Sequence, residues 1–317
     1  MTHTSVELQE FFRTQGIRFG RCLEPTMQCT ETAIRAHSIQ NRQTISLLEQ
    51  DNHVVAWQPR FSQAGPEITL KRVGRNDAST FAGFCNRHDT QLFAALDTKP
   101  LDPTDRQQLF LLAYRGITCE LHAIMTGVVQ VQSMHISRVE RGVERGDAAS
   151  PAGQKAVEQM LLSWATWRYR YKYYDEPILS QSLGTIEHEV VEFDNQPAFL
   201  AASSFFTLKD VPVGQELVGV AINVLPVSAS KTVAVFSYAG ANQGVARSAL
   251  DRILRSTGDT QKYELSKLIV SRISNVLLSP RHVDQWGATK VGKITQAFVQ
   301  SLYSQRDVDD DVELMLF

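Results

Sequence analysis

Four side chains with metal-binding donor atoms fall in two pairs in the first third of the chain. Cys22 and Cys29 are separated by six residues, and Cys85 and His88 by two. Thiolate sulfur binds zinc at about 2.3 Å and imidazole nitrogen at about 2.0 Å, and a structural site closes with four such ligands in a tetrahedron. The first pair lies in GIRFGRCLEPTMQC (residues 16–29), a stretch with Gly and Pro that reads as a loop able to bend round an ion. The second lies in FCNRHDTQLF (residues 84–93), where positions i and i+3 share one face of a helix. Amides at a helix onset also favour thiolate charge. The chemistry expected is one Zn2+ on Cys22, Cys29, Cys85 and His88. A plainer alternative makes the cysteines small buried hydrophobes and His88 a surface or capping residue. Cys119, in the apolar stretch LFLLAYRGITCEL, is read as core.

A loop with one ligand pair and a helix onset with the other is what a treble-clef module needs. After Cys29 come His37 in AHSIQ, an extended segment, Asn76 in a polar loop, and the helix bearing Cys85. This succession resembles the zinc-bearing subset of the HNH nucleases over about residues 20–95. The resemblance implies a strand His37 acting as general base on water, with Asn76 orienting it. It also implies Asp89 as a ligand for a catalytic Mg2+ or Mn2+ at the scissile phosphate. The chain departs from that family in having Ala36 beside the histidine and no Lys later on the helix. Lys71, Arg72 and Arg75, together with Arg87, are candidate phosphate contacts, with ordinary surface charge as the alternative. The wider succession C…C…AHSIQ…STFAGFCNRHDTQLF…LLAYRG…SPRHVDQW is similar to an uncharacterised bacterial family of zinc-finger-like proteins. That likeness spans most of the chain, supports the Cys/His assignment and names no reaction.

The elements that must position these residues follow from periodicity. A short helix is expected over residues 5–15, from Leu8, Phe11 and Phe12. Extended segments follow, then a strand and polar turn through PEITLKRVGRNDAST, then a helix through FAGFCNRHDTQLFAAL. Two long helices, one from about Thr104 and one ending at Pro177, are expected to pack as an antiparallel pair. In the second, Trp164, Trp167, Tyr171 and Tyr174 recur as a packing stripe, with the interleaved charges solvated. The same basic and aromatic mixture is also suited to stacking single-stranded nucleic acid. HEVVEF, AFLAASSFF, ELVGVAINVLPV and KTVAVFSYA read as antiparallel strands. Helices are expected in VARSALDRILRST, in KYELSKLIVSRISNVLL and beyond SPRHVDQW. The fold class expected is α+β. Residues 1–100 form a zinc-binding, HNH-like module, and residues 101–317 form a helical and antiparallel-sheet domain.

Bulk properties bound the function. The chain has 317 residues, 43% hydrophobic and 21% charged, an ordinary globular balance for about two domains. A net charge of −2 excludes a global basic field but not a local basic patch. Four cysteines are too sparse for a disulfide scaffold, and no apolar run reaches the length of a secretory signal or a membrane span. A reducing bacterial cytoplasm is the expected location. The functional expectation is a zinc-binding protein that acts on or senses nucleic acid, including metal-dependent phosphodiester hydrolysis in bacterial defence. The alternative is a non-enzymatic adaptor with a structural zinc and a C-terminal domain that binds a protein partner.

Overall fold

The computed structural model describes residues 16–62, 65–147, 149–194, 196–208, 216–304 and 308–317. The helix expected over residues 5–15 lies outside them. The architecture is α+β, with antiparallel pairing throughout the described strands. Strand β1 (Ile34–His37) pairs with β4 (Thr80–Phe84) in a two-stranded sheet. The chain between them forms a long hairpin, β2 (His53–Ser62) and β3 (Gly65–Gly74). Four further strands are β5 (Ile186–Asp194), β6 (Leu200–Thr207), β7 (Gly219–Ser228) and β8 (Lys231–Ala239). The three residues of β9 (Val276–Leu278) join hairpin and strands into one seven-stranded sheet, ordered β3-β2-β9-β6-β7-β8-β5.

The near-continuous apolar runs of the central strands have a simple cause: helices cover both faces of this sheet. Side chains on successive strand residues point to opposite faces. Ala201, Phe205, Ala221, Leu225, Val233 and Val235 pack in one core with Leu109, Phe110, Tyr114 and Ile117 of helix α2 (Arg106–Glu140). Their neighbours Ala202, Phe206, Ile222, Val224, Ala234 and Phe236 enter a second core. That core is completed by helices α4 (Gln243–Arg255), α5 (Gly258–Arg272) and α6 (Ala288–Ser304). The α2 helix runs close to the sheet at Gly116, where an added Cβ would lie 3.3 Å from the Ser204 carbonyl oxygen. Its start is capped by Asp105, whose carboxylate accepts from the amides of Gln107 and Gln108. Helix α3 (Pro151–Arg170) begins at a Ser150 cap and lies antiparallel to the far half of α2.

Several local expectations are corrected. Residues 80–84 form a strand rather than the start of a helix, because Phe81 and Phe84 are buried by the pairing with β1, and helix α1 (Asn86–Leu92) starts only after Cys85. Pro177 does not end a helix. A π turn over Tyr171–Asp175 leads into the short helix Glu176–Ser180, whose first turn tolerates a proline. The expected long helix from Lys262 stops at Arg272, and Val276–Leu278 enter the middle of the sheet, where their backbone groups pair on both sides. The expected packing stripe is buried only in part: Trp164 is 55% exposed, Tyr171 is exposed and Trp167 is half-buried, while Tyr174 is buried together with Tyr169 and Tyr173.

The buried side also holds a charge. Arg170 is fully buried and donates from Nε to Asp175 Oδ2 at 3.1 Å, and Asp175 accepts a further bond from Tyr114 at 2.9 Å. Burial raises the Asp175 carboxyl, against the pull of Arg170 and these hydrogen bonds. Removing one partner leaves the other charge stranded. Asp175→Ala is therefore expected to cost about 3–5 kcal/mol in chemical denaturation, and Asp175→Asn, which keeps a hydrogen-bond partner, to cost less.

Candidate metal centre

The loop from Cys22 to Cys29 is shaped by one carboxylate. Glu24 is buried, and its side chain accepts from the amides of Thr26 at 2.8 Å, Gln28 at 2.7 Å and Cys29 at 3.1 Å, and from the Thr26 hydroxyl. Burial raises the Glu24 carboxyl, but these four donors outweigh it and hold the group below its ordinary value. The six-residue gap is thus one compact turn wrapped round an anion, with Met27 in the left-handed region at φ 57°. Leu23 anchors the turn to β4 by donating its amide to the Gly83 carbonyl at 2.7 Å. Met27 carries the turn against the buried Arg170, whose Nη2 lies 3.6 Å from its sulfur.

The second pair is placed by the start of α1. Cys85 is the residue before the helix, in extended conformation, and the Asp89 amide closes the first turn on its carbonyl at 2.9 Å. His88 then returns to the same side one turn later. The donor atoms converge. Cys22 Sγ lies 3.4 Å and Cys85 Sγ 3.3 Å from His88 Nδ1, and Cys29 Sγ lies 3.9 Å from Cys85 Sγ. All four donor atoms are within 4.8 Å of one another. In a tetrahedron with ordinary zinc bond lengths, the sulfur–sulfur edge is about 3.8 Å and the sulfur–nitrogen edge about 3.6 Å. The observed separations bracket those edges, and the sulfurs are far beyond the ~2.05 Å of a disulfide.

The surroundings suit thiolates that meet a cation. Cys22 and Cys85 are buried, and the Cys85 amide donates to Cys22 Sγ at 3.2 Å. Burial pushes the Cys22 thiol up to about 12, against that amide bond, and raises the Cys85 thiol as well. A bound divalent ion would be the largest local charge and would reverse this preference. Cys119, read as core, is partly buried and packs against the first core cluster.

The remaining sequence candidates are spread around a second locus. His37, on β1, places Nε2 3.2 Å from the Arg75 carbonyl, so that nitrogen carries the proton. Burial lowers the His37 pKa, and Arg115, Arg35 and Arg75 add to the effect. Asp89, on α1, senses the charges of His37, Arg115 and Asp97, and burial raises its pKa overall. Asn76 is exposed and accepts from Asn41 Nδ2 at 3.0 Å. Among the described residues, no group of three or more Cys, His, Asp or Glu donors other than the Cys3His set converges on a common point. Of the basic candidates, Arg72 pairs with Asp284 at 2.7 Å, and Arg75 bonds Asn41 and lies 3.7 Å from Glu49. Lys71 and Arg87 are exposed on β3 and α1.

Sequence reasoning missed two residues here. Glu24 was hidden in a loop with no periodicity, although a Glu-Pro-Thr run between two cysteines is a turn signal. Arg115 sits in an apolar helix run, yet is buried, grips Asp97 with both Nη atoms at 2.9 and 3.1 Å, and stacks 4.0 Å over Phe93. It adds a fixed positive charge beside Asp89 and lines a cavity of about 330 Å3 with Gln40 and Arg42.

These features define an α+β protein with a Cys3His cluster able to hold a metal ion such as zinc. Among the described residues no helix is long and apolar enough to cross a membrane. Comparison of the chain with protein-family models, curated proteins and solved structures finds no match.

Because Glu24 holds the loop that presents Cys22 and Cys29, Glu24→Ala is expected to weaken zinc binding by roughly 10–100-fold, measured by competition with a chromogenic chelator. Unchanged affinity would show that the loop keeps its shape without the carboxylate.

Proposed function

We propose that the chain is a zinc-binding protein in which one ion, held by Cys22, Cys29, Cys85 and His88, staples a treble-clef-like module. The observation that carries this reading is the convergence of four donors from two distant segments within 4.8 Å. Three sulfurs and one nitrogen form a closed tetrahedral set, the pattern of a structural zinc rather than of one that keeps a position open for water. The order of parts supports it too: ligand loop, then antiparallel β1 and β4, then a helix that opens on the second pair. Elemental analysis of the purified protein is expected to give one zinc per chain. Cys85→Ser should lose most of that zinc and melt at lower temperature. A fully folded wild type without stoichiometric metal would sink the reading.

A second reading, phosphodiester hydrolysis by an HNH-like site on DNA or RNA, is favoured by His37. Its Nε2–H is committed to the Arg75 carbonyl, which leaves the lone pair on Nδ1, and burial favours the neutral ring. That is the state a general base needs. Asp89 faces the same locus from α1 and would serve a Mg2+ or Mn2+ ion. The role in bacterial defence rests on the sequence resemblance alone. Plasmid or RNA cleavage in either divalent ion, lowered about 100-fold or more in His37→Ala with zinc content intact, is the result expected of the hydrolase. Full zinc with no cleavage in any divalent ion favours the adaptor, with the seven-stranded sheet and its helices serving a protein partner.

A further inference from the structure

The cavity that Arg115 lines with Gln40 and Arg42 is apolar in its walls and cationic in its charges. Its volume of about 330 Å3 lies at the lower end of the range for small-molecule pockets, ~300–1,000 Å3. Ile39, Leu96, Leu101, Leu112, Leu225 and Val227 supply apolar wall, and among the described residues no aromatic side chain lines it. None of the Cys3His residues reaches it either, so it is separate from the metal centre. The charged side chains on its lining, among the described residues, are two arginines and no acid. Two breaks in regular backbone also meet here. Asn41–Ile45 form a π turn, which carries Arg42 and Thr44 on the wall. The neighbouring β7 slips register against β8 between Pro226 and Ser228, which leaves Val227 without a partner residue. π turns and β-bulges give up regular pairing and recur beside binding sites, where they re-aim side chains.

Arg115 shows what the cavity lacks. It is 3% exposed, and an arginine so deeply buried needs its charge answered. Asp97 takes the end of the guanidinium fork, accepting from Nη1 at 3.1 Å and from Nη2 at 2.9 Å. Asp97 also accepts from Gln40 Nε2 at 3.2 Å. The side edge of the fork, formed by Nε and the second proton of Nη2, is left over. Nε is buried and meets no acceptor among the described residues. A buried donor in that state is costly, and a second carboxylate set parallel to the Nε–Nη2 edge is the geometry that answers it. Arg42 is exposed and makes no ion pair among the described residues, so it adds a free positive charge to the same lining. The apolar wall selects the rest of the ligand. Leucine, isoleucine and valine side chains with no ring among them suit a flexible alkyl body, and a flat aromatic one has nothing to stack on.

We propose that this cavity binds a small aliphatic carboxylate, with its headgroup on the free edge of Arg115 and its alkyl chain among Leu96, Leu112 and Leu225. Isothermal titration of the full chain with octanoate is expected to show one site per chain with Kd below about 1 mM. Octanol, which keeps the chain and lacks the charge, should bind roughly ten-fold or more weakly, and acetate, which keeps only the charge, should not register. Arg115→Lys, which keeps the charge and loses the side edge, should weaken octanoate by roughly ten-fold. Leu47→Trp fills the cavity from a half-buried wall position that touches no charge, and should abolish binding with circular dichroism unchanged. A folded wild type that takes up no octanoate at 1 mM overturns the proposal, and so does binding that persists in Leu47→Trp. Equal affinity for octanol and octanoate overturns the arginine anchor, and tighter binding of benzoate than of octanoate overturns the alkyl body.

Discussion

Three sulfurs and an imidazole drawn to one point set the terms for the first hundred residues. Cys22 and His88 are 66 positions apart, yet their donor atoms lie 3.4 Å from each other. Without a cation, that corner holds two buried thiols, Cys22 and Cys85, whose ionisation burial opposes. With one, the loop, the β1–β4 pair and the onset of α1 become a single cross-linked unit. The rest of the corner is built to tolerate that closeness. Glu24 satisfies the amides of the tight turn, and Cys85 gives its own amide to the sulfur across from it.

The Cys3His corner is fastened to the long helices by polar contacts in an otherwise apolar interior. Met27 at the tip of the turn touches Arg170, Arg170 is neutralised by Asp175, and Asp175 is held by Tyr114 of α2. Such a network fixes orientation more than it adds stability, since a buried ion pair barely recovers its desolvation cost. Its effect here is directional: the ligand loop meets the end of α3 through Met27 and Arg170. Arg115 plays a parallel part on the other side of α1, gripping Asp97 and capping the ring of Phe93. Its charge also pulls the Asp89 carboxyl down, against the burial that raises it.

How much of this the chain declares in advance depends on the kind of signal. The Cys and His pairs were legible because ligand chemistry restricts residue type and spacing together. The four strands from 186 to 239 and the long helices were legible from period and length. The β4 strand was not, because Phe81 and Phe84 also stand at helical spacing, and only their burial against β1 decides the matter. The three residues of β9 were lost in a longer apolar run. The stripe on α3 shows a further limit. Periodicity finds a face but not how deep each member lies: Trp164 and Tyr171 stand exposed, while Tyr174 and, off the stripe, Arg170 go in. Asn76, His37 and Asp89 share a region in the fold, but Asn76 spends its side-chain oxygen on Asn41 rather than on the histidine.

The placement of β9 has a consequence for how the chain is made. The β2–β3 hairpin leaves the ribosome before β6 to β8, and the strip that stitches them together follows all of these in the chain. Until Leu278 has been synthesised, the β2 and β6 flanks that it will occupy face solvent as open templates. Closure of the sheet is therefore a late, long-range event, and a nascent or truncated chain lacking that strip is the form most exposed to misassembly and chaperone capture.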